Sequence, residues 1–260
     1  MPLQNRVTPF GEIVAIPERG TLMGNRGILH DAGGQVRRRW ASRAWISCLL
    51  EFQGRRDPVM APGHYTRLFF LDEPTAFAAG HRPCAYCRRA DYVAFRDTWA
   101  AANAHLGLGN RPRATEIDRV LHSERIGEGG GKRLHPTELA RLPDGVMVTD
   151  RAAAPGATSP PQPPSSANSG ASPIPRSAPR AGSSDEMVGD AVFLIWGGRL
   201  WHWSPAGYRA TDRPLSGEVL ALTPPSIIAT LAAGYPTMPP AGMPAPAPLL
   251  RAGNGAEAQE

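Results

Sequence analysis

Cysteine is scarce in this chain, with three in 260 residues. So small and odd a number excludes a disulfide framework, and two of the three stand together as Cys84 and Cys87 in a C-x-x-C, a spacing suited to metal or redox work. Lysine is scarcer still. Lys132 stands alone among 28 basic residues, and coding composition can produce such an arginine bias without selection for guanidinium chemistry. Long apolar runs are also missing. The longest uncharged stretch, Val219 to Leu250, is cut by eight prolines, and its longest proline-free piece, Ser226 to Tyr235, falls far short of the roughly 18 to 20 residues a membrane span needs. Met1 to Phe10 is polar and holds two prolines, so no export signal and a cytoplasmic location are expected. There is no Gly-x-Ser-x-Gly, no His-Glu-x-x-His and no dinucleotide fingerprint, which leaves hydrolase and nicotinamide chemistry without a foothold.

What is present fits a globular protein, with 42% hydrophobic and 20% charged residues. The net charge of +5 is uneven: residues 1–149 carry 21 basic and 15 acidic side chains, residues 150–260 carry 7 and 8. Four regions follow. Residues 1–150 form the main α+β region. Residues 151–188 are expected to be a disordered insertion, since 27 of the 33 residues from Ala152 to Ser184 are Ala, Gly, Pro or Ser and cannot offset the entropy of ordering. Residues 189–236 complete the core, and residues 237–260 read as a disordered, proline-rich tail. The insertion lies between two strand-like runs, Gly145 to Val148 and Ala191 to Trp196, so it interrupts a sheet connection rather than dividing two domains.

Ile13 to Ile16, Ala44 to Phe52 and Tyr65 to Leu71 have strand composition. Asp72 can cap a short helix that stops at Gly80. Tyr92, Phe95, Trp99 and Ala102 share one helical face, and Thr115 with Asp118 resembles a capping pair for a helix carrying Ile117, Val120 and Leu121. His135 to Leu142 reads as another short helix. Gly197-Gly198 joins two apolar runs as a β-hairpin, Glu218 to Leu222 is a strand, and Ser226 caps a last helix ending at Gly234.

In Gly80-His81-Arg82-Pro83-Cys84-Ala85-Tyr86-Cys87-Arg88-Arg89 the two thiols sit in a turn that opens a helix. Both sulfurs can reach one tetrahedral ion, and the arginines and the helix N-terminus favour thiolate. The run Leu68-Phe69-Phe70, the alanine-rich segment Glu73 to Ala79 and the following Gly-His-Arg-Pro-Cys-x-x-Cys together resemble the Ada-type metal-binding domain of bacterial alkylation-repair proteins over about residues 45–95. That resemblance implies zinc held by four cysteines and contact with the DNA backbone. The family's upstream C-x-x-x-C survives here as Cys48 alone, because position 52 is Phe52. The expected zinc ligands are therefore Cys84, Cys87, Cys48 and a histidine, either His81 or His64, in a module spanning about 45–105.

Pro83-Cys84-x-x-Cys87 is also the second half of the zinc nucleobase-deaminase signature, but no His-x-Glu lies upstream, and Glu51 follows Cys48 by three residues rather than two. Arg82, Arg88, Arg89, Arg55 and Arg56 are candidate phosphate contacts for DNA or RNA. Arg37-Arg38-Arg39-Trp40 could join them, whereas Glu128 to Arg133 fails P-loop spacing and reads as a loop. Gly20 to Gly27 reads as a turn between strands, and Trp201 and Trp203 as residues packed on a helix. The function expected is a structural zinc site with non-specific nucleic-acid binding and no membrane partner. A deaminase-like enzyme and an interaction scaffold are the alternatives.

Overall fold

The structure is a computed structural model that describes residues 1–54, 59–150 and 191–244. Among the described residues, two six-stranded, mainly antiparallel sheets and four α-helices give an α+β fold. The first sheet takes β1 (Arg6–Val7), β2 (Ile13–Val14), β3 (Leu22–Asn25), β4 (Ile46–Cys48), β5 (Leu68–Phe70) and β6 (Arg82–Pro83) in the order β2-β1-β5-β3-β4-β6. The second takes β7 (His135–Glu138), β8 (Met147–Thr149), β9 (Val192–Trp196), β10 (Arg199–Ser204), β11 (Gly207–Ala210) and β12 (Glu218–Ala221) in the order β11-β10-β9-β8-β12-β7.

Helix α1 (Glu73–Ala78) has every residue buried, the small Ala76 and Ala78 as well as the large Phe77 and the charged Glu73. Ala76 packs with Val7, Leu22 and Phe70 of the first sheet, Ala78 with Met147, Leu194 and Trp203 of the second, and Phe77 joins the largest core. That core lies between one face of the second sheet and three helices, α2 (Arg89–Ala102), α3 (Ala114–Arg125) and α4 (Pro225–Ala232). The predicted stripe on α2 supplies Phe95 and Trp99, neither of them exposed to solvent. Strand β9 is buried on both faces: Phe193 and Ile195 point into this core, Val192, Leu194 and Trp196 into the opposite layer. Trp203 lies in that layer too, beside Ala78 of α1.

Asp72 caps α1 as expected, accepting the Thr75 N–H at 3.0 Å. Other local expectations give way. Residues 135–138 form edge strand β7, not a helix, because Pro136 needs no partner for an N–H it lacks and an edge tolerates it. The Gly20 to Gly27 stretch holds β3 in mid-sheet. Helix α3 begins at Ala114, with the Glu116 carboxylate accepting the Arg113 N–H at 2.7 Å, so Thr115 and Asp118 are not the caps. Pro224 and Pro225 start α4 ahead of Ser226, whose hydroxyl instead donates to Glu124 at 2.6 Å.

Of the stretch expected as a disordered tail, residues 237–244 lie against the body. The Met238 N–H donates to Glu73 at 2.8 Å, the Ala241 N–H to Asp72 at 3.2 Å, and the Trp196 indole to the Pro244 carbonyl at 3.0 Å. The predicted insertion, and the rest of the tail, lie outside the described residues. Strands β8 and β9 on either side of the insertion pair antiparallel, Thr149 opposite Val192.

Candidate metal centre

Strands β4 and β6 run parallel, with Ile46 opposite Arg82 and Ser47 opposite Pro83. Pro83 is tolerated because β6 is the edge of its sheet. Continuing that register by one residue brings Cys48 alongside Cys84, and the Cys84 N–H donates to the Ser47 carbonyl at 2.9 Å. The chain then turns through Ala85 and Tyr86, with the Arg88 N–H closing onto the Cys84 carbonyl at 3.2 Å, and this returns Cys87 to the same point before α2 begins. The sulfurs of Cys48, Cys84 and Cys87 all lie within 4.8 Å of one another. Met23, Ile46, Tyr65 and Phe69 pack around them.

The group suits a thiophilic ion. Zinc–sulfur bonds of about 2.3 Å in a tetrahedron place sulfurs about 3.8 Å apart, inside the observed spread. Without metal the three thiols share their protons unequally. The Cys48 S–H donates to Cys84, and backbone N–H groups of Cys87 and Tyr86 point at the same sulfur, the latter at 3.4 Å, so the Cys84 pKa falls to about 5 despite burial. Cys48 is pushed up by that hydrogen bond and by burial, and Cys87 by burial first and the neighbouring Cys84 charge next. Thiol and amide donors, rather than the arginines invoked from sequence, make the thiolate. A sulfur ringed by amide N–H groups is prepared for the charge a metal–thiolate bond retains.

The histidines do not join. Among the described residues no fourth His, Cys, Asp or Glu belongs to the group. His81 is fully buried elsewhere: its Nε2 accepts from the Arg26 Nε at 3.0 Å, and its ring packs on Phe70 and Trp45. Three residues of extended chain cover about 10 Å and turn alternate side chains to opposite faces, so its closeness in sequence to Cys84 is not closeness in space. His64 is exposed, with Nδ1 at 3.2 Å from the Pro62 carbonyl.

Of the predicted phosphate contacts, Arg82 and Arg88 are buried and engaged. Arg82 makes a bidentate pair with Asp118, both bonds 2.8 Å, and lies over the Tyr92 ring. Arg88 reaches Glu73 at 2.6 Å, Asp91 at 2.8 Å and the Ser47 hydroxyl at 3.0 Å. Burial opposes the Arg88 charge, but Glu73 and then Asp91 outweigh it and raise its pKa. A guanidinium so enclosed cannot meet a polymer backbone. Arg89 is exposed, and Arg55 and Arg56 lie outside the described residues. The partners Glu73 and Asp118 went unnoticed in the sequence. Asp118 sits on the apolar face of α3 between Ile117 and Leu121, and a carboxylate on a buried stripe is the signal that could have revealed it.

Compared with protein-family models, with curated proteins and with solved structures, the chain matches none. No helix among the described residues is long and apolar enough to cross a membrane.

Proposed function

We propose that this chain is a zinc protein whose three-cysteine centre fastens β4 to the turn between β6 and α2, and whose exposed arginines contact nucleic-acid phosphates without reading sequence. The observation that carries the metal half is the meeting of three sulfurs from two separate segments in an apolar setting with amide donors on one sulfur. Bound zinc would supply charge and a tetrahedral tie between segments 36 positions apart in sequence, Cys48 and Cys84. A fourth donor would have to come from outside the thiol group. The deaminase reading has the weaker support, because no His-x-Glu lies upstream of Cys84.

For protein purified without a metal-binding tag, elemental analysis should return one zinc per chain. Cys48→Ser and Cys84→Ser should lose it, while His81→Ala should keep it. Metal-free, folded wild-type protein would overturn the reading.

The nucleic-acid half rests on Arg38, Arg39, Arg43 and Arg89, all exposed, with Trp40 inside the first run, and on the resemblance to the Ada-type domain. Affinity for DNA and RNA should fall steeply with salt. Replacing Arg38 with glutamine should weaken binding evenly across sequences and reduce the log–log salt slope by about 1. A salt-independent affinity would mean that no phosphates are contacted.

A further inference from the structure

Every buried arginine near the metal centre has its own carboxylate, Arg82 with Asp118 and Arg88 with Glu73. A second group of buried cations does not. Arg26, just after β3, and Arg125, the last residue of α3, stand over the indole of Trp45 with their guanidinium carbons 3.9 and 4.1 Å from its centroid. The His81 ring lies 5.1 Å from the same indole. Arg26 and His81 have no exposed surface and Arg125 has 1%. Lys132, paired with Ile126 across an isolated bridge, buries its ammonium nearby and donates to the Ala78 carbonyl.

The partners these cations do have are neutral. Arg26 donates to the Gly11 carbonyl at 2.9 Å and to His81, and Arg125 to the carbonyls of Gly80 at 2.8 Å and Arg43 at 2.7 Å. Arg26 Nη2, Arg125 Nε and His81 Nδ1 are buried with no hydrogen-bond partner. Because His81 Nε2 accepts from Arg26, its neutral ring must carry the proton on the unpartnered Nδ1. Among the described residues, the charges that act on Arg26, His81 and Lys132 are positive. Only Arg125 senses carboxylates, Asp118 and Glu124, and these are spent on Arg82 and Ser226. Among the described residues these buried charges, with donors to spare, have no carboxylate of their own.

We propose that the cluster of Arg26, His81, Arg125 and Lys132 is a binding site for a phosphate group. A small, acceptor-only oxyanion of charge near −2 matches three cations and three free N–H donors, and neither a neutral ligand nor a cation does. Gly80 shows how closely the site is built. Its φ is +83°, and a Cβ there would fall 2.6 Å from the Arg125 Cδ, so a side chain at this turn would displace the guanidinium. Two sequence features that seemed unrelated meet over the cluster. Arg39 and Arg43, in the arginine-rich stretch, supply carbonyls to Arg26 and Arg125, and the Arg39 side chain reaches the Gly130 carbonyl of the glycine-rich loop at 3.1 Å. The site shares no residue with the thiol group, so it stands apart from the zinc reading.

The test uses the full chain and inorganic phosphate. Titration calorimetry should give one saturable site, and phosphate should raise the melting temperature more than chloride of equal ionic strength. Lys132→Met should weaken phosphate binding at least tenfold with metal content unchanged, and Arg26→Gln should do the same. A 5′-phosphorylated oligonucleotide compared with its dephosphorylated twin separates the sources. Competition by the phosphorylated form alone would assign the site to a chain end, and binding of inorganic phosphate alone to the free ion. Wild-type protein that responds to phosphate no more than to chloride, or a response unchanged in Lys132→Met, would overturn the site. The crowding would then be relieved by Lys132 releasing its proton, whose pKa burial and the neighbouring arginines lower to about 7.

Discussion

If the thiol group holds zinc as proposed, removing the metal with a chelator should loosen residues 46–49 and 84–88 while leaving the second sheet intact. Amide exchange in those two segments should accelerate by orders of magnitude, whereas Val192 to Trp196, buried on both faces, should stay protected. The division follows from where the cores lie: the thiols pack with a few residues of the first sheet, and the main core of α2, α3, α4 and the second sheet does not include them. Zinc binding contributes about 10–16 kcal/mol in peptides that fold only with metal. Here such a tie would act on a chain that already has a core, so on metal removal the melting temperature should drop by on the order of 10 °C rather than the fold being lost. Unchanged exchange at Cys48 and Cys84 after the metal has gone would show that the centre holds nothing together.

Arg88→Met should destabilise the protein by about 3–5 kcal/mol, because it leaves Glu73 buried without its cation. Glu73 would retain the Met238 N–H at 2.8 Å and the Tyr235 hydroxyl at 3.4 Å, too little for a carboxylate with no exposed surface. The double variant Arg88→Met, Glu73→Gln should recover most of the loss, since no lone charge is then left in the interior. Urea unfolding of the three proteins reads both effects. Equal instability of single and double variants would assign the cost to lost packing around the Arg88 side chain instead of to the ion pair.

These two results bear on what could be read from the sequence. Asp72 and α1 were legible because capping is local: an acceptor, a proline in the first turn and a glycine after the end lie within nine residues. Cys84 and Cys87 were legible for the same reason. Cys48 was placed only through resemblance, since its approach to Cys84 depends on a parallel pairing that no local pattern encodes. His81 and the arginines failed in the opposite way. Proximity along the chain made His81 a ligand, and exposure was assumed for Arg82 and Arg88, yet the carboxylates that bury them come from 36 and 15 positions away. Lys132 lay in a run read as a loop and Arg39 in a run read as further phosphate contacts, and neither pattern reveals their meeting because what joins them is tertiary. Residues 237–244 looked featureless for want of apolar mass, but their backbone N–H groups were sufficient to attach them to Asp72 and Glu73.

The register of β8 against β9 has a consequence for the chain's tolerance of length. Thr149 and Val192 are already opposite one another as ladder neighbours, so the second sheet requires only that the intervening residues leave and return at one place. A connection of 40 residues and one of four differ in closure entropy by only about 2 kcal/mol. The sheet thus constrains little of what is spliced between its middle strands, and at this junction the gene could gain or shed coding sequence without disturbing the ladder.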